Sequence, residues 1–235
     1  MEPTTAKKIV IRTQDISKTY HESKIPVQAL KDVDLEVAEG EFTAIVGPSG
    51  SGKTTFLNIL GGLDNPTTGT IEIDGTDISK LKESELIDFR LHNIGFVFQQ
   101  YNLIPVLTAK ENVEFIMLLQ KRPGHEMKER AMKLLAEVGL EDKANVRPSE
   151  LSGGQQQRVA VIRALASRPK FILADEPTAN LDSVSAANLL DMMARMNREE
   201  GITFIFSTHD QRVIDKARRV VTLEDGVVKS DEVRS

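Results

Sequence analysis

The stretch Gly47-Pro48-Ser49-Gly50-Ser51-Gly52-Lys53-Thr54 decides the fold of this chain, because it matches the pattern G-x-x-x-x-G-K-[ST] in full. It follows the apolar run 42–46, which is typical of a strand buried on both faces, and it opens a segment, 53–63, that reads as a helix. Its glycines let backbone N–H groups point at phosphate oxygens, and the helix N-terminus adds partial positive charge. The sequence therefore predicts a phosphate-binding loop rather than a glycine-rich turn with an incidental lysine.

Two side chains of this loop can act on a nucleoside triphosphate. Lys53 can reach the β- and γ-phosphates, and the hydroxyl of Thr54 can bind Mg²⁺. We therefore expect a nucleoside triphosphate with Mg²⁺ as the ligand of the loop.

A second apolar run, 171–174, reads as a strand and ends in two adjacent carboxylates, Asp175 and Glu176. Ligands of open α/β sheets bind at the carboxyl ends of the strands. Asp175 suits the Mg²⁺ shell, and Glu176 suits polarisation of the water that attacks the γ-phosphate. Such a pair is by itself more often part of a solvated loop, and it gains weight only from the phosphate loop on a separate strand.

A third motif, Leu151-Ser152-Gly153-Gly154-Gln155, precedes the helical run 158–166. Ser152 is a natural N-cap, and the two glycines leave backbone amides open to an anion. An ordinary capped helix is the alternative interpretation. The chain thus has two phosphate-ready helix starts about one hundred residues apart.

The remaining pattern predicts a strand-helix core interrupted by helices. Residues 9–11 and 33–37 read as half-exposed antiparallel strands, and residues 83–166 read as mainly helical. Strand signals return at 171–174 and 202–206 around a helical segment, 186–198, and residues 219–226 predict a terminal hairpin. No linker divides the chain, so we expect one α/β domain over 1–235 with a helical subdomain inserted at about 88–164.

The composition is that of an ordinary globular protein, with 40% hydrophobic and 28% charged residues in 235. A net charge of -5 gives no support to a nucleic-acid partner or to a polybasic membrane-surface helix. The chain has no cysteine, which excludes disulfides and thiolate chemistry.

Residues 1–8 lack the apolar stretch of a secretory signal, and no apolar run approaches the ~20 residues of a membrane span. A membrane process would therefore involve a partner protein.

Three strings, GPSGSGKTT (47–55), LSGGQQQR (151–158) and ILADEPTANLD (172–182), together resemble the nucleotide-binding subunits of ABC transporters. The resemblance covers nearly the whole chain, and LSGGQ between the other two strings is highly specific. It implies a P-loop NTPase core with an N-terminal antiparallel β subdomain and an inserted α-helical subdomain. It also implies a head-to-tail homodimer, in which the signature segment (Ser152–Gln155) of one copy closes over ATP held by the other.

The same resemblance assigns roles to individual residues. Binding of ATP is assigned to Gly47–Thr54 with Thr55, to Ser152, Gly153, Gly154 and Gln155 of the signature segment, to Asp182, and to Tyr20, which would stack on adenine. Mg²⁺ is assigned to Thr54, Gln99 and Asp175, and catalysis to Lys53, Gln99, Glu176 and His209. Gln100, next to Gln99, is an alternative register for the glutamine, and an isolated tyrosine is more often a packing residue.

The segment Phe98-Gln99-Gln100-Tyr101-Asn102-Leu103-Ile104-Pro105 is similar to the lipoprotein-releasing and macrolide-exporting branch of the family. This implies an ATPase on the cytoplasmic face of the inner membrane that drives separate integral-membrane permease subunits. The alternatives are an ABC-type ATPase acting in cell division, on ribosomes or on DNA, and a P-loop kinase or small GTPase. The acidic charge and the absence of a second such domain or a long coiled-coil insertion disfavour action on DNA or ribosomes, and the signature segment has no use in a kinase.

Overall fold

The computed structural model describes residues 8–21 and 26–234. The expectation that residues 1–8 carry no secretory signal therefore lies outside the described residues, except at Lys8. The strands are β1 Ile9–Tyr20, β2 Val27–Ala38, β3 Phe42–Val46, β4 Thr68–Ile73, β5 Thr76–Asp77, β6 Ile94–Val97, β7 Phe171–Asp175, β8 Thr203–Ser207, β9 Arg219–Glu224 and β10 Val227–Val233. The α-helices are α1 Lys53–Leu60, α2 Glu83–Asn93, α3 Ala109–Leu119, α4 Gly124–Glu137, α5 Gly153–Ala166, α6 Ser183–Glu200 and α7 Gln211–Lys216.

The central element is a six-stranded sheet in the order β10-β9-β3-β8-β7-β6. Pairing is parallel from β9 across to β6, and only the terminal hairpin of β9 and β10 is antiparallel. The predicted strands at 42–46, 171–174 and 202–206 and the predicted hairpin are confirmed. Because β3, β8 and β7 are parallel neighbours, the chain leaves all three at the same edge of the sheet.

A second, antiparallel sheet has the order β2-β1-β4-β5 and confirms the predicted N-terminal β subdomain. Its first two strands have 12 residues each and are much longer than the apolar alternation indicated. Register shifts interrupt their pairing, and Asp15 and Asp32 have φ of 51° and 46°. These irregularities let the strands continue through polar residues that the period-two pattern did not include.

The inserted helices α3, α4 and α5 pack on one another between β6 and β7 in the chain. The expectation of a mainly helical stretch over 83–166 was wrong at Ile94–Val97, because these residues form β6, which pairs with β7 at the edge of the central sheet. A run of four residues carries too little periodicity to separate a strand from a helix. The range 88–164 expected for the insertion therefore includes one strand of the central sheet.

The helix α6 confirms the predicted helical segment and packs its methionines, Met192, Met193 and Met196, into the core. Its Asn197 is 3% exposed, and its Nδ2 donates to the carbonyls of Gly40, Glu41 and Ile202, the last at 2.6 Å. One side chain thus fixes the C-terminal end of α6 to the turns that lead into β3 and β8. Within the described ranges, none of the helices has the length and apolarity that crossing a membrane requires.

We predict that Asn197→Ala lowers the free energy of unfolding by about 2–4 kcal/mol, because it leaves buried carbonyls without a donor and opens a small cavity. The exposed Asn188 on the same helix is the matched control, and Asn188→Ala should stay within about 0.5 kcal/mol of the wild type. Urea unfolding followed by circular dichroism measures both. Equal effects of the two changes would contradict the role given to Asn197.

Candidate functional site

The predicted phosphate loop connects β3 to α1 and lines an open cleft of about 630 Å³, the phosphate cleft. Two glycines make this loop possible. Gly52, immediately before α1, has φ of 101°, and a Cβ there would lie 2.4 Å from the carbonyl oxygen of Ala29. At Gly47 a Cβ would lie 1.9 Å from the carbonyl oxygen of Leu223. Any larger residue at either position would displace the loop from the strands behind it.

The loop lysine lies inside the turn that the loop makes. Lys53 is 8% exposed, and its Nζ donates to the carbonyl oxygens of Gly47 at 2.8 Å and Pro48 at 2.9 Å. The backbone itself therefore holds the ammonium group at the phosphate cleft, which Lys53 lines. Ser51, by contrast, is 3% exposed and does not line the cleft, so its contribution to the loop is a backbone one.

A hydroxyl and a carboxylate meet at the start of α1. The Thr54 Oγ1 lies 3.2 and 3.3 Å from the two carboxylate oxygens of Asp175, at the end of β7. Burial raises the pKa of Asp175, while the hydrogen bond from the Thr54 hydroxyl acts in the opposite direction. Hard oxygen donors and a half-buried carboxylate are the ligand set that Mg²⁺ prefers. The residues present therefore fit the predicted metal, although no cluster of three acidic or histidine side chains exists among the described residues.

Glu176 is fixed at the mouth of the cleft by the end of β8 and the two residues that follow it. Its backbone has φ of 45°, an uncommon conformation for a residue with a side chain, and its N–H donates to the carbonyl of Ser207 at 2.8 Å. One carboxylate oxygen lies 2.6 Å from Nδ1 of His209, and the other accepts from the hydroxyl of Thr208 at 3.1 Å. The predicted carboxylate and the predicted histidine are thus a directly bonded pair that lines the phosphate cleft.

The backbone around this pair is held by a buried polar contact that the sequence reasoning missed. Thr178 is 1% exposed, and its hydroxyl donates to the carboxylate of Asp210 at 2.6 Å. The bidentate contact with the Arg212 guanidinium lowers the pKa of Asp210 to about 2, against the effect of burial. These bonds tie the segment after Glu176 to the segment after His209. A Thr-Asp pair 32 residues apart carries no sequence signal of such a contact.

Gln99 is brought to the cleft, whereas its neighbour Gln100 is not among the residues that line it. The carbonyl oxygen of Gln99 accepts from the Nδ2 of Asn180 at 2.9 Å, which fixes the backbone at this point. Of the two registers left open by the sequence, the structure therefore favours Gln99. Pro48, Ser49, Gly50 and Thr55 also line the cleft.

Three predicted groups lie elsewhere in the chain. Ser152 caps α5 with Gln155, Asp182 caps α6 through the N–H groups of Val184 and Ser185, and none of the signature segment lines the phosphate cleft of its own chain. Tyr20 does not line it either. The Tyr20 hydroxyl donates to Asp64 at 2.8 Å, and Lys18 Nζ lies 4.8 Å from the centre of its ring.

Sequence reasoning also missed one wall of the cleft. Val27, Gln28 and Ala29, at the start of β2, line it from the antiparallel sheet. Val27 is 55% exposed. No sequence signal indicates this wall, because its position beside the loop arises only when the two sheets pack together.

The fold and the cleft define a P-loop protein that binds a nucleoside triphosphate. Three features define that class: a glycine loop between a buried parallel strand and a helix, a lysine within the loop, and a hydroxyl-carboxylate pair beside it.

The chain belongs to the ABC transporter family, whose family model, described as ABC transporter, matches residues 30–179. It is an ATP-binding subunit of that family and an ATPase. The chain is 46% identical over 227 residues to an uncharacterised ABC transporter ATP-binding protein, MJ0796, of Methanocaldococcus jannaschii, covering 95% of this chain and 97% of that protein. It is 45% identical over 225 residues to the macrolide export ATP-binding/permease protein MacB of Brucella melitensis, covering 96% of this chain and 35% of MacB.

Solved structures agree with the fold. A dimeric structure of MJ0796 in a post-hydrolysis state, bound to ADP and Pi, superposes with a TM-score of 0.88 at 45% identity, covering 96% of this chain and 99% of that one. The expected α/β architecture of an ABC ATPase is thereby confirmed.

We predict that Asp210→Asn lowers the free energy of unfolding by about 1–2 kcal/mol at pH 7, with allowance for solvent screening of the ion pair. The folded-state pKa lies below the ordinary 3.8, so the carboxylate stabilises the fold above about pH 4 and loses this contribution as the pH falls toward 2. The difference from the wild type should therefore fall to about half at pH 3. Urea unfolding at both pH values tests this, with the exposed Asp215 as control: Asp215→Asn should change little at either pH. A constant difference would contradict the ionic origin.

Proposed function

We propose that two copies of this chain close head-to-tail on ATP and drive separate integral-membrane permease subunits at the cytoplasmic face of the inner membrane. One observation carries the proposal. The phosphate cleft holds Lys53, Thr54, Glu176 and His209, yet the signature segment, the second phosphate-ready helix start, lies outside it. A site completed by the signature segment of a second copy accounts for both, and the dimeric structures of MJ0796 support it.

Within one copy, the loop residues 47–55 would bind the phosphates of ATP. Lys53 would contact the β- and γ-phosphates, and Thr54, Asp175 and Gln99 would hold Mg²⁺, which supplies positive charge against the phosphate oxygens. The face of the Tyr20 ring would stack on adenine, although the ring does not line the cleft in this structure. Asp182, at the start of α6, would communicate across the dimer.

Glu176 would orient the attacking water and accept its proton. Its carboxylate is pre-positioned by Thr208 and His209, so little reorganisation is needed when water and phosphate come into line. His209 is three-quarters exposed, and its free ring nitrogen can turn toward the γ-phosphate. In the partner copy, Ser152, Gly153, Gly154 and Gln155 would present a capped helix start to the same phosphate.

The permease is assigned to a second surface, an apolar groove of about 320 Å³ between the sheet and the inserted helices. Six of the residues that line it are Ile94, Phe96, Phe98, Ile104, Phe115 and Leu119. Leu119 is 49% exposed, so this face is available to a partner of apolar character. Relatives described as macrolide export ATP-binding/permease proteins carry both functions in one chain, which supports a permease helix as the occupant.

The similarity to MacB and the segment 98–105 together support the branch that releases lipoproteins or exports macrolides and peptides. We further propose that residues 1–235 act as one domain, with the helical subdomain as its permease-facing part. The alternative is an ABC-type ATPase that acts in cell division or on another partner outside transport.

We predict that Glu176→Gln reduces ATP hydrolysis by at least about 100-fold and accumulates an ATP-bound dimer. Glutamine keeps the size of the side chain but removes the base and the charge that repels the γ-phosphate. Light scattering of the eluting protein, with Mg²⁺ and saturating ATP, measures the mass. The exposed Glu199 provides the control, because Glu199→Gln should leave hydrolysis and mass as in the wild type. A variant that stays monomeric with ATP bound would exclude the composite site.

We predict that Leu119→Glu abolishes recovery of the permease, because a charge in an apolar interface costs several kcal/mol. The tagged chain, purified from membranes of its organism of origin, should recover one integral-membrane protein, identified by mass spectrometry. Recovery should fall at least about tenfold with Leu119→Glu and stay unchanged with Ile87→Glu, whose residue is 51% exposed outside the groove. Ribosomes, DNA or a cell-division protein in place of a permease would favour the alternative class.

A further inference from the structure

A short loop joins the phosphate cleft to the apolar groove. It runs from Phe98 to Thr108, between β6 and α3, and is called here the linker loop. Its second residue, Gln99, lines the cleft, and three residues later Asn102 lines the groove. The residue at the cleft and the residue at the groove are therefore separated by only about 10 Å of chain.

The first half of the linker loop has an unusual backbone. Tyr101 and Asn102 have φ of 29° and 49°, in the left-handed region, which is unfavourable for residues with side chains. Such a conformation persists only where the surroundings hold it in place. The second half is held by Asn112, a fully buried side chain that bonds the backbone of Ile104, Leu107 and Thr108.

Arg163 of α5 holds the first half. Its guanidinium donates through one nitrogen to the carbonyl of Tyr101 at 2.9 Å and through another to the carbonyl of Asn102. The planar fork of arginine suits two consecutive carbonyls, which a single ammonium group cannot bridge in the same way. Arg163 also lines the apolar groove, so an occupant of the groove would contact the clamp itself.

The position of Arg163 is electrostatically costly. Burial lowers the pKa of its guanidinium, and no carboxylate forms an ion pair with it in the described part of the chain. A partly buried cation without an ionic partner depends on hydrogen bonds to neutral groups to offset the cost of its desolvation. Its two carbonyl bonds are thus the compensation that the structure offers.

The clamped residues also contact the other parts of the composite site. Asn180, in the segment after Glu176, donates to the carbonyl of Gln99, and the hydroxyl of Tyr101 lies 3.4 Å from the carbonyl oxygen of Asn180. The Tyr101 hydroxyl also lies against Gly153, where a Cβ would be only 2.7 Å away. The linker loop therefore contacts the start of the signature segment as well as the cleft.

We propose that Arg163 is a positioning residue, which sets Gln99 in the phosphate cleft by clamping the backbone at Tyr101 and Asn102. The inference rests on the proposed function, since it assigns a positioning residue to the same site. Arg163 does not touch the substrate, and its effect on hydrolysis passes entirely through the linker loop.

The structure provides a matched control in a second arginine that donates to consecutive backbone carbonyls. Arg130, of α4, also donates to two consecutive carbonyls of α5, those of Leu165 and Ala166, and burial lowers its pKa as well. It lies in a cavity with Arg122, Glu126 and Arg168, away from the phosphate cleft. Arg130→Met removes the same chemistry at a site that has no contact with Gln99.

The test compares steady-state ATP hydrolysis of the full chain and its variants. Arg163→Met should lower kcat about tenfold and leave KM for ATP within about twofold, whereas Arg130→Met should leave both unchanged. In a Gln99→Ala background, Arg163→Met should add less than about a twofold loss, because the pathway through Gln99 is already removed. Should Arg163→Met fail to fold, Arg163→Lys, which keeps the charge and one of the two bonds, should give an intermediate kcat.

Several outcomes would overturn the inference: an unchanged kcat in Arg163→Met or Arg163→Lys, an equal loss in Arg130→Met, or fully multiplied losses in the double variant. A Glu176→Gln variant that stays monomeric with ATP bound would instead refute the proposed function. The two failures are thus distinguishable, because the inference concerns only ratios between variants of an active chain.

Discussion

The parallel pairing of β3, β8 and β7 is the constraint on which the rest of the site depends. It delivers the phosphate loop, the Thr208-His209 segment and the Asp175-Glu176 pair to one edge of one sheet. Backbone hydrogen bonds from Thr208 to Ile45 and from Glu176 to Ser207 extend the connection just past the strand ends. The reacting groups are thus positioned by hydrogen bonds between main-chain atoms. These fix a group more rigidly than hydrogen bonds between long, flexible side chains do.

Rigidity at this edge has a local cost that neighbouring contacts offset. The left-handed backbone of Glu176 stores strain, and the buried Thr178–Asp210 bond holds the segments on either side of it. Stability and chemistry are therefore coupled at Asp210, which touches no substrate but fixes the geometry of residues that would. The same logic applies to Lys53, whose carbonyl partners in the loop hold an ammonium group at the cleft.

The inserted helices contribute residues to the apolar groove and to the signature segment rather than to the lining of the phosphate cleft. α5 begins with the signature segment and carries Arg163 at its far end, while α3 contributes apolar residues to the groove. One helix thus has a capped start, which we propose to meet a phosphate held by a second copy, and a side chain that clamps the linker loop beside Gln99.

The sequence by itself determined the phosphate loop, its flanking strand and helix, and the carboxylate pair, because these depend on local backbone chemistry and on hydrophobic runs that a single segment contains. It also indicated the family through three strings. Only the tertiary structure decided that Ile94–Val97 is a strand of the central sheet, that Gln99 rather than Gln100 faces the cleft, and that Thr178, Asp210 and Arg163 hold the site. Each of these features depends on contacts between segments that are distant in the sequence, and such contacts produce no periodic pattern in the chain. Pairing between parallel strands is likewise set by burial and by neighbouring strands rather than by the local preference of the residues.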